Sequence, residues 1–363
     1  MRRAQRKESD ISALIPKNHF ASVGLFREEP LVSWPFTKAV LFTAYDVFRS
    51  SDFWLDTIIK SGKTLKEGLV DLGFPKANTM IADTGIFELE AKKAGISKEL
   101  GIPIDIDLSN EQIFEAYELS GADYFVSPDE IILATDTNTE ANEKIRRIKD
   151  NTIELLEVAD SKDVIGVLQG IRRERAEDLF DFYRSHGVEK FAIGGLLPLY
   201  YYDKTLFKDV LVFTRALTKD YWLHTFGLPR INLLPFYLQE IGIDSVDTSM
   251  ILYLTIRRSY LVDIESRPVR LADFKGCSCK GCNILSSGLQ SYEADFFVNL
   301  YIHNVLEASR IALECSKGVW HAIARQDTVS THKEEEPTIK RASKPLKDYN
   351  GQWVTADKLL EDR

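Results

Sequence analysis

The stretch VIGVLQGIRRERAEDLFDFYRSHGVEKFAIGG, residues 164–195, decides the fold. It opens on a short apolar run, Val164–Leu168, which reads as a buried strand ending at Gln169 and Gly170. Arg175–Arg184 spaces its apolar residues between charges, as a helix lying on a core does, and Gly187 closes it. Phe191–Ile193 is a second apolar run, ending at Gly194 and Gly195. Two buried strands joined by a covering helix are parallel, because only a crossover connection returns the chain to the same end of the sheet.

The same unit recurs on both sides. Upstream, Ala39–Phe42, Thr79–Ala82 and Tyr124–Val126 read as strands, and Leu65–Leu72, Glu111–Leu119 and Asn142–Val158 as helices. Downstream come a helix at Phe207–Leu217, a strand at Trp222–Thr225, a helix at Leu234–Ile241 stopped by Gly242, and a last strand, Ser245 and Val246, leading to Asp247. An open doubly wound sheet and a closed (β/α) barrel both fit this rhythm. No Gly-x-Gly-x-x-Gly follows the first strands, so a dinucleotide fold gains no support. Polar residues and glycines collect where the strands end: Asp83, Asp129, Gln169, Gly194, Gly195 and Asp247. A barrel brings such ends to one mouth, and on this ground the expectation is an α/β fold of the (β/α) TIM type.

Three carboxylates and an amide at one mouth can divide labour, one carboxylate as nucleophile and another as acid or base. The Gln169 carboxamide and the N–H groups of Gly194 and Gly195 can read a flat heterocycle, and Phe87 can lie against its face. Each also has a bland reading. Asp83 and Asp129 can be helix N-caps, Gln169 a loop residue, and Gly194–Gly195 a tight turn.

A second signal lies further on. KGCSCKGCN holds Cys277, Cys279 and Cys282, and NLYIHNVLE holds His303. Three thiols so close, with a histidine from a following helix over Gly288–Cys315, match a tetrahedral zinc site. Four protein ligands leave no position for water, so the expected zinc is structural, in a subdomain over about residues 270–315. Ordinary thiols and a core histidine are the alternative.

The chain has 363 residues, is 44% hydrophobic and carries a formal charge of −9. That suits a large core in one α/β domain with additions, or in two domains. Residues 1–18 read as a mobile basic arm, 19–325 as the barrel with its zinc subdomain, and 326–363 as a polar tail with a weakly docked helix at Trp353–Leu360. With no secretory or spanning segment and few cysteines, a cytoplasmic protein is expected. An acidic total does not exclude nucleic acid, which needs only a local basic face. Candidate faces are Arg172, Arg173 and Arg175, then Arg257 and Arg258, then Arg267 and Arg270.

Taken in order, these motifs resemble the tRNA-guanine transglycosylase superfamily, from about Thr79 to Glu307. ADTGIF, at Ala82–Phe87, is similar to the family's Asp-Ser-Gly-Gly-Phe, with Thr84 and Ile86 departing. VSPDE resembles the strand end that supplies a base-reading aspartate, here Asp129. GVLQG points to Gln169, and FAIGGL matches closely at Phe191–Leu196. HTFGLP is similar to Met-Gly-Val-Gly-x-Pro, with His224 and Thr225 departing and Gly227 and Pro229 kept. GIDSVDTS resembles the nucleophile segment, on Asp247. Cys-x-Cys-x-x-Cys followed by His-Asn resembles the family's zinc site.

The resemblance implies exchange of guanine in DNA or tRNA for a 7-deazaguanine base. It implies Asp247 as nucleophile and Asp83 as general acid and base. Asp129, Gln169, Gly194 and Gly195 would hold the base edge and Phe87 its face. The segment after Asp247 lacks the Pro-Thr-Arg pattern that reads an anticodon loop. The tail is short, and the N-terminal segment lacks the family's usual opening strands. These departures lean toward the DNA-modifying paralogues. A tRNA enzyme and a non-catalytic partner subunit stay open, as do a homodimer and, more weakly, a metal-dependent hydrolase built on His224.

Overall fold

The computed structural model describes residues 14–16, 38–49, 60–71, 75–76, 78–86, 108–133, 136–169, 172–268, 276–286, 293–320, 345–347 and 353–355. In chain order the barrel elements are β1 (Leu14–Pro16), β2 (Ala39–Thr43), α1 (Ala44–Arg49), α2 (Leu65–Asp71), β3 (Thr79–Asp83), α3 (Asn110–Ser120) and β4 (Tyr124–Val126). They continue with α4 (Asn138–Leu156), β5 (Val164–Leu168), α5 (Arg173–Ser185), β6 (Lys190–Ile193), α6 (Leu196–Tyr202), α7 (Lys204–Leu217) and β7 (Trp222–Thr225). A 3-10 turn (Ile231–Leu233) and a π-helix (Pro235–Ile241) precede β8 (Ser245–Thr248).

The eight strands form one parallel sheet in the order β1-β8-β7-β6-β5-β4-β3-β2. Its two edges meet: β1 pairs with β8, Ile15 opposite Asp247, and lies against β2. The sheet is therefore a nearly closed barrel. Alternation along each strand then sorts the side chains. Ile15, Leu41, Ile81, Val126, Val167 and Ala192 fill the interior. Val40, Phe42, Met80, Phe191, Leu223 and Val246 face outward into a larger core shared with the helices. Full burial of each such side chain is worth roughly 1.5–3 kcal/mol.

Local chemistry sets the boundaries. Ser109 and Gln112 form a capping box at the start of α3, and Gly121, at φ 62°, ends it. Thr137 and Glu140 do the same for α4, so this helix starts at Asn138 rather than Asn142. The expected strands recur within two residues of their positions, as do the helices over Leu65–Leu72, Glu111–Leu119 and Arg175–Arg184. Two readings change. Leu14–Pro16 falls in the segment taken as an arm, and it is a barrel strand whose Leu14 and Ile15 are fully buried. A three-residue strand is too short to show a period, so neither it nor an opening strand was visible. Trp353–Thr355, expected as part of a docked helix, is a strand (β12) antiparallel to Pro345–Lys347 (β11).

After β8 the chain adds α8 (Met250–Ile256), a hairpin of β9 (Ser259–Val262) and β10 (Glu265–Pro268), α9 (Lys280–Ser286) and the long α10 (Glu293–Ser316). α10 packs on α8, α9, β9 and the π-helix, and reaches β1. No described helix is long and apolar enough to cross a membrane.

Candidate active site and metal centre

Strand parity sends the polar strand-end residues inward. Ile81 is interior, so Asp83, two residues on, shares its face, level with Thr43 of β2. The same step leads from Val167 to Gln169, from Ala192 to Gly194 and from Trp222 to His224. Asp247 stands opposite interior Ile15. Asp83, Gln169, His224 and Asp247 thus form the layer above the apolar interior at one end of the barrel, each buried.

The chain past β4 is pinned before it reaches Asp129. Tyr117 Oη donates to Val126 O at 2.8 Å, and Ser127 Oγ lies 2.6 Å from Thr152 Oγ1. Tyr183 Oη reaches Ser127 Oγ and Val167 O, tying the ends of β4 and β5 together. This leaves Asp129 Oδ2 accepting from Gln169 Nε2 at 2.5 Å. Burial, then the charge of Asp83, pushes the Asp129 carboxyl up to about 7, against the opposing pull of the Gln169 hydrogen bond. Burial and the same two carboxylates hold the Tyr117 hydroxyl protonated.

Gly194 is a glycine for want of room: a Cβ there would sit 2.0 Å from Gln169 Nε2. Its N–H donates to Leu168 O at 3.3 Å, so the ladder takes the donor that the sequence had offered to a ligand. Gly195, at φ 70°, turns the chain into α6. Among the described residues, Gln169 Oε1 and Thr84 Oγ1 are buried without a hydrogen-bond partner. Such atoms are costly unless a bound molecule or water completes them. A pocket of about 130 Å³ opens beside Asp129, lined also by Tyr45, Thr84, Asn110, Ile113 and Glu130. It lies beside the start of α3, and Asp83, Gln169 and Asp247 do not line it. Phe87 lies outside the described residues.

Asp247 is 1% exposed. Its Oδ1 accepts from Gly227 N at 2.8 Å and lies 3.2 Å from His224 Nε2. Its carbonyl accepts from Leu228 N at 2.8 Å, so the turn after β7 is laced to β8. His224 Nδ1 lies 2.7 Å from Ser245 Oγ, and the ring stacks on Trp222 with its edge toward Phe226. The sequence marked His224 only as a departure and as a candidate metal ligand. The sole group of three or more metal-ligating side chains among the described residues lies elsewhere.

That group is Cys277, Cys279, Cys282 and His303, whose donor atoms all lie within 4.8 Å of one another. Cys277 Sγ and Cys282 Sγ are 3.8 Å apart, and the three sulfurs are 3.6, 3.4 and 3.3 Å from His303 Nδ1. A tetrahedral ion of zinc's size requires about 3.8 Å between sulfurs and about 3.5 Å from sulfur to nitrogen. The donor set fits. His303 Nε2 donates to Leu261 O at 2.8 Å, which fixes the tautomer and turns Nδ1 to the sulfurs. Tyr260 stacks on the imidazole with centroids 3.7 Å apart. Asn304 accepts from Leu261 N and donates to Ser259 O and Thr255 Oγ1, joining α8 and β9 to α10. A Cβ on Gly281 would stand 2.3 Å from Asn299 O, so only glycine lets α9 lie this close to α10.

A comparison with curated protein sequences found no match. The family model for queuine tRNA-ribosyltransferase matches residues 73–329, well over half of the chain, and takes in both the barrel mouth and the Cys3His cluster. With that match added to the barrel and the Cys3His cluster, the chain belongs to the queuine tRNA-ribosyltransferase family of guanine transglycosylases.

Proposed function

We propose that the protein exchanges a guanine in a polynucleotide for a 7-deazaguanine base, through a glycosyl ester on Asp247. The observation that carries this is the pairing of two devices at one mouth. A buried carboxylate, Asp247, is held through its Oδ1 by Gly227 N and His224 Nε2. A second, Asp129, is paired with an amide whose oxygen lacks a partner.

In this reading Asp247 attacks the anomeric carbon as the bond to guanine N9 breaks, and Asp83 supplies the proton the departing base needs. The incoming base then attacks the same carbon, Asp83 takes its proton, and the Asp247 carboxylate is released. Asp129 accepts from the N–H groups on the base edge, the Gln169 carboxamide meets its carbonyl or amino group, and Phe87 covers its face. Gly194 keeps Gln169 in place by leaving it room, and Gly195 shapes the turn beside it. A guanine inside a duplex cannot reach these groups, so the target is single-stranded or flipped out. Cys277, Cys279, Cys282 and His303 would hold one zinc ion, which with four protein donors would serve only to tie α9 and the turn before it to α10.

The polymer is read from one experiment. The protein is incubated with labelled guanine and either tRNA or duplex DNA. The Thr248–Arg258 segment, without Pro-Thr-Arg, favours label in DNA; the family's name favours tRNA. Wild-type protein should form a denaturation-resistant adduct with the nucleic acid that takes up label, and Asp247→Asn should not. No uptake and no adduct with either polymer would leave the partner-subunit reading in its place.

A further inference from the structure

Asp247 is held in a way the reaction scheme does not use. Its Oδ1 meets two groups at once, the Gly227 N–H at 2.8 Å and the His224 ring at 3.2 Å. Both His224 and Asp247 are 1% exposed, so water does not compete for the contact. An ionised carboxylate requires a proton on His224 Nε2, since a lone pair there would face negative charge. Ser245 secures that arrangement, because its hydroxyl at 2.7 Å can donate to Nδ1 and leave the proton on Nε2. Trp222, stacked at 5.7 Å with an interplanar angle of 17°, and Phe226 fix the ring plane.

We infer that His224, oriented by Ser245, is the positioning residue that with the Gly227 N–H makes Asp247 a good leaving group in the second half of the exchange. The inference rests on the transglycosylase reading above. When the ester forms, Asp247 Oδ2 gives an electron pair to the anomeric carbon and the base departs with the pair of the broken bond. The carboxylate charge is lost, and the hydrogen bonds to Oδ1 weaken because they now meet a neutral ester carbonyl. When the incoming base attacks, the bond from carbon to Oδ2 breaks and its electron pair returns to Asp247. Negative charge then develops beside two donors already in place, as in an oxyanion hole. The donors therefore favour breakdown of the ester more than its formation.

The test forms the adduct on full-length protein with the polymer that accepts guanine, then chases it with free base. His224→Phe keeps a ring against Trp222 but removes both nitrogens. Its adduct should accumulate and break down about 10- to 100-fold more slowly, the factor a hydrogen bond to a charged group carries. His224→Gln places an amide N–H near the Nε2 position and should restore most of the rate. Ser245→Ala leaves the imidazole in place but unpins its tautomer, and should slow breakdown by a smaller factor; it serves if His224→Phe does not fold. Unchanged breakdown in both His224→Phe and Ser245→Ala overturns the inference while the function stands. So does a folded His224→Phe that forms no adduct, or a folded His224→Gln no faster than His224→Phe. A wild-type protein that forms no adduct overturns the function and the inference together.

Discussion

Asp129→Asn tests the buried carboxyl proposed to read the base edge. Asp129 is 6% exposed, and its carboxyl is pushed from the ordinary 3.8 to about 7, by burial first and by Asp83 next. Between these values the folded protein keeps a proton that the unfolded chain has lost. Stability therefore falls as pH rises from about 4 to about 7, by up to ~1.4 kcal/mol per pH unit and on the order of 4 kcal/mol in all. The asparagine cannot ionise, so it removes this slope. Its carbonyl can still accept from Gln169 Nε2, and its N–H groups can meet the partnerless Gln169 Oε1. Urea unfolding of both proteins at pH 5, 6, 7 and 8 reads the difference directly. The variant should gain on the wild type with each step up to pH 7 and keep the gain at pH 8. Base exchange should nevertheless fall, since the carboxylate proposed to accept from the base edge is gone. A difference that does not change with pH, or one that shrinks as pH rises, would rule out a raised Asp129 carboxyl.

Chelation should lower the thermal midpoint of the wild type, and Cys279→Ala should lower it without chelator and abolish the response. An ion at 1,000 times its Kd contributes about 4 kcal/mol, and equal melting with and without chelator would exclude a structural metal. Gly281→Ala should also destabilise, by roughly 1–3 kcal/mol, because the added methyl meets Asn299 O; calorimetry on metal-loaded protein reads it. Gly194→Ala should displace Gln169 and raise KM for the base with a smaller effect on stability, seen by pairing steady-state kinetics with a melt.

The barrel strands were legible because each is a short apolar run closed by a polar residue or glycine, a signal that needs no neighbour. Asp83, Gln169 and Asp247 stood out for the same reason. The Cys3His cluster was legible because Cys277, Cys279 and Cys282 share six consecutive residues and His303 sits in a periodic helix. β1 was not, since Leu14–Pro16 shows no period and is a strand only because β8 and β2 receive it. Nor was the commitment of the Gly194 N–H to Leu168 O, which follows from the way β5 and β6 pair.

The alternation of strand and helix, the polar groups at each strand end and the Cys3His donor set can be read from the chain alone. All of these are encoded in residues close along the chain. Folding in three dimensions is what pairs Asp129 with Gln169 and brings His224 and Gly227 to one oxygen of Asp247. Those contacts depend on strand register and on closure of the sheet, which set which inward side chains meet. Local composition carries no record of either.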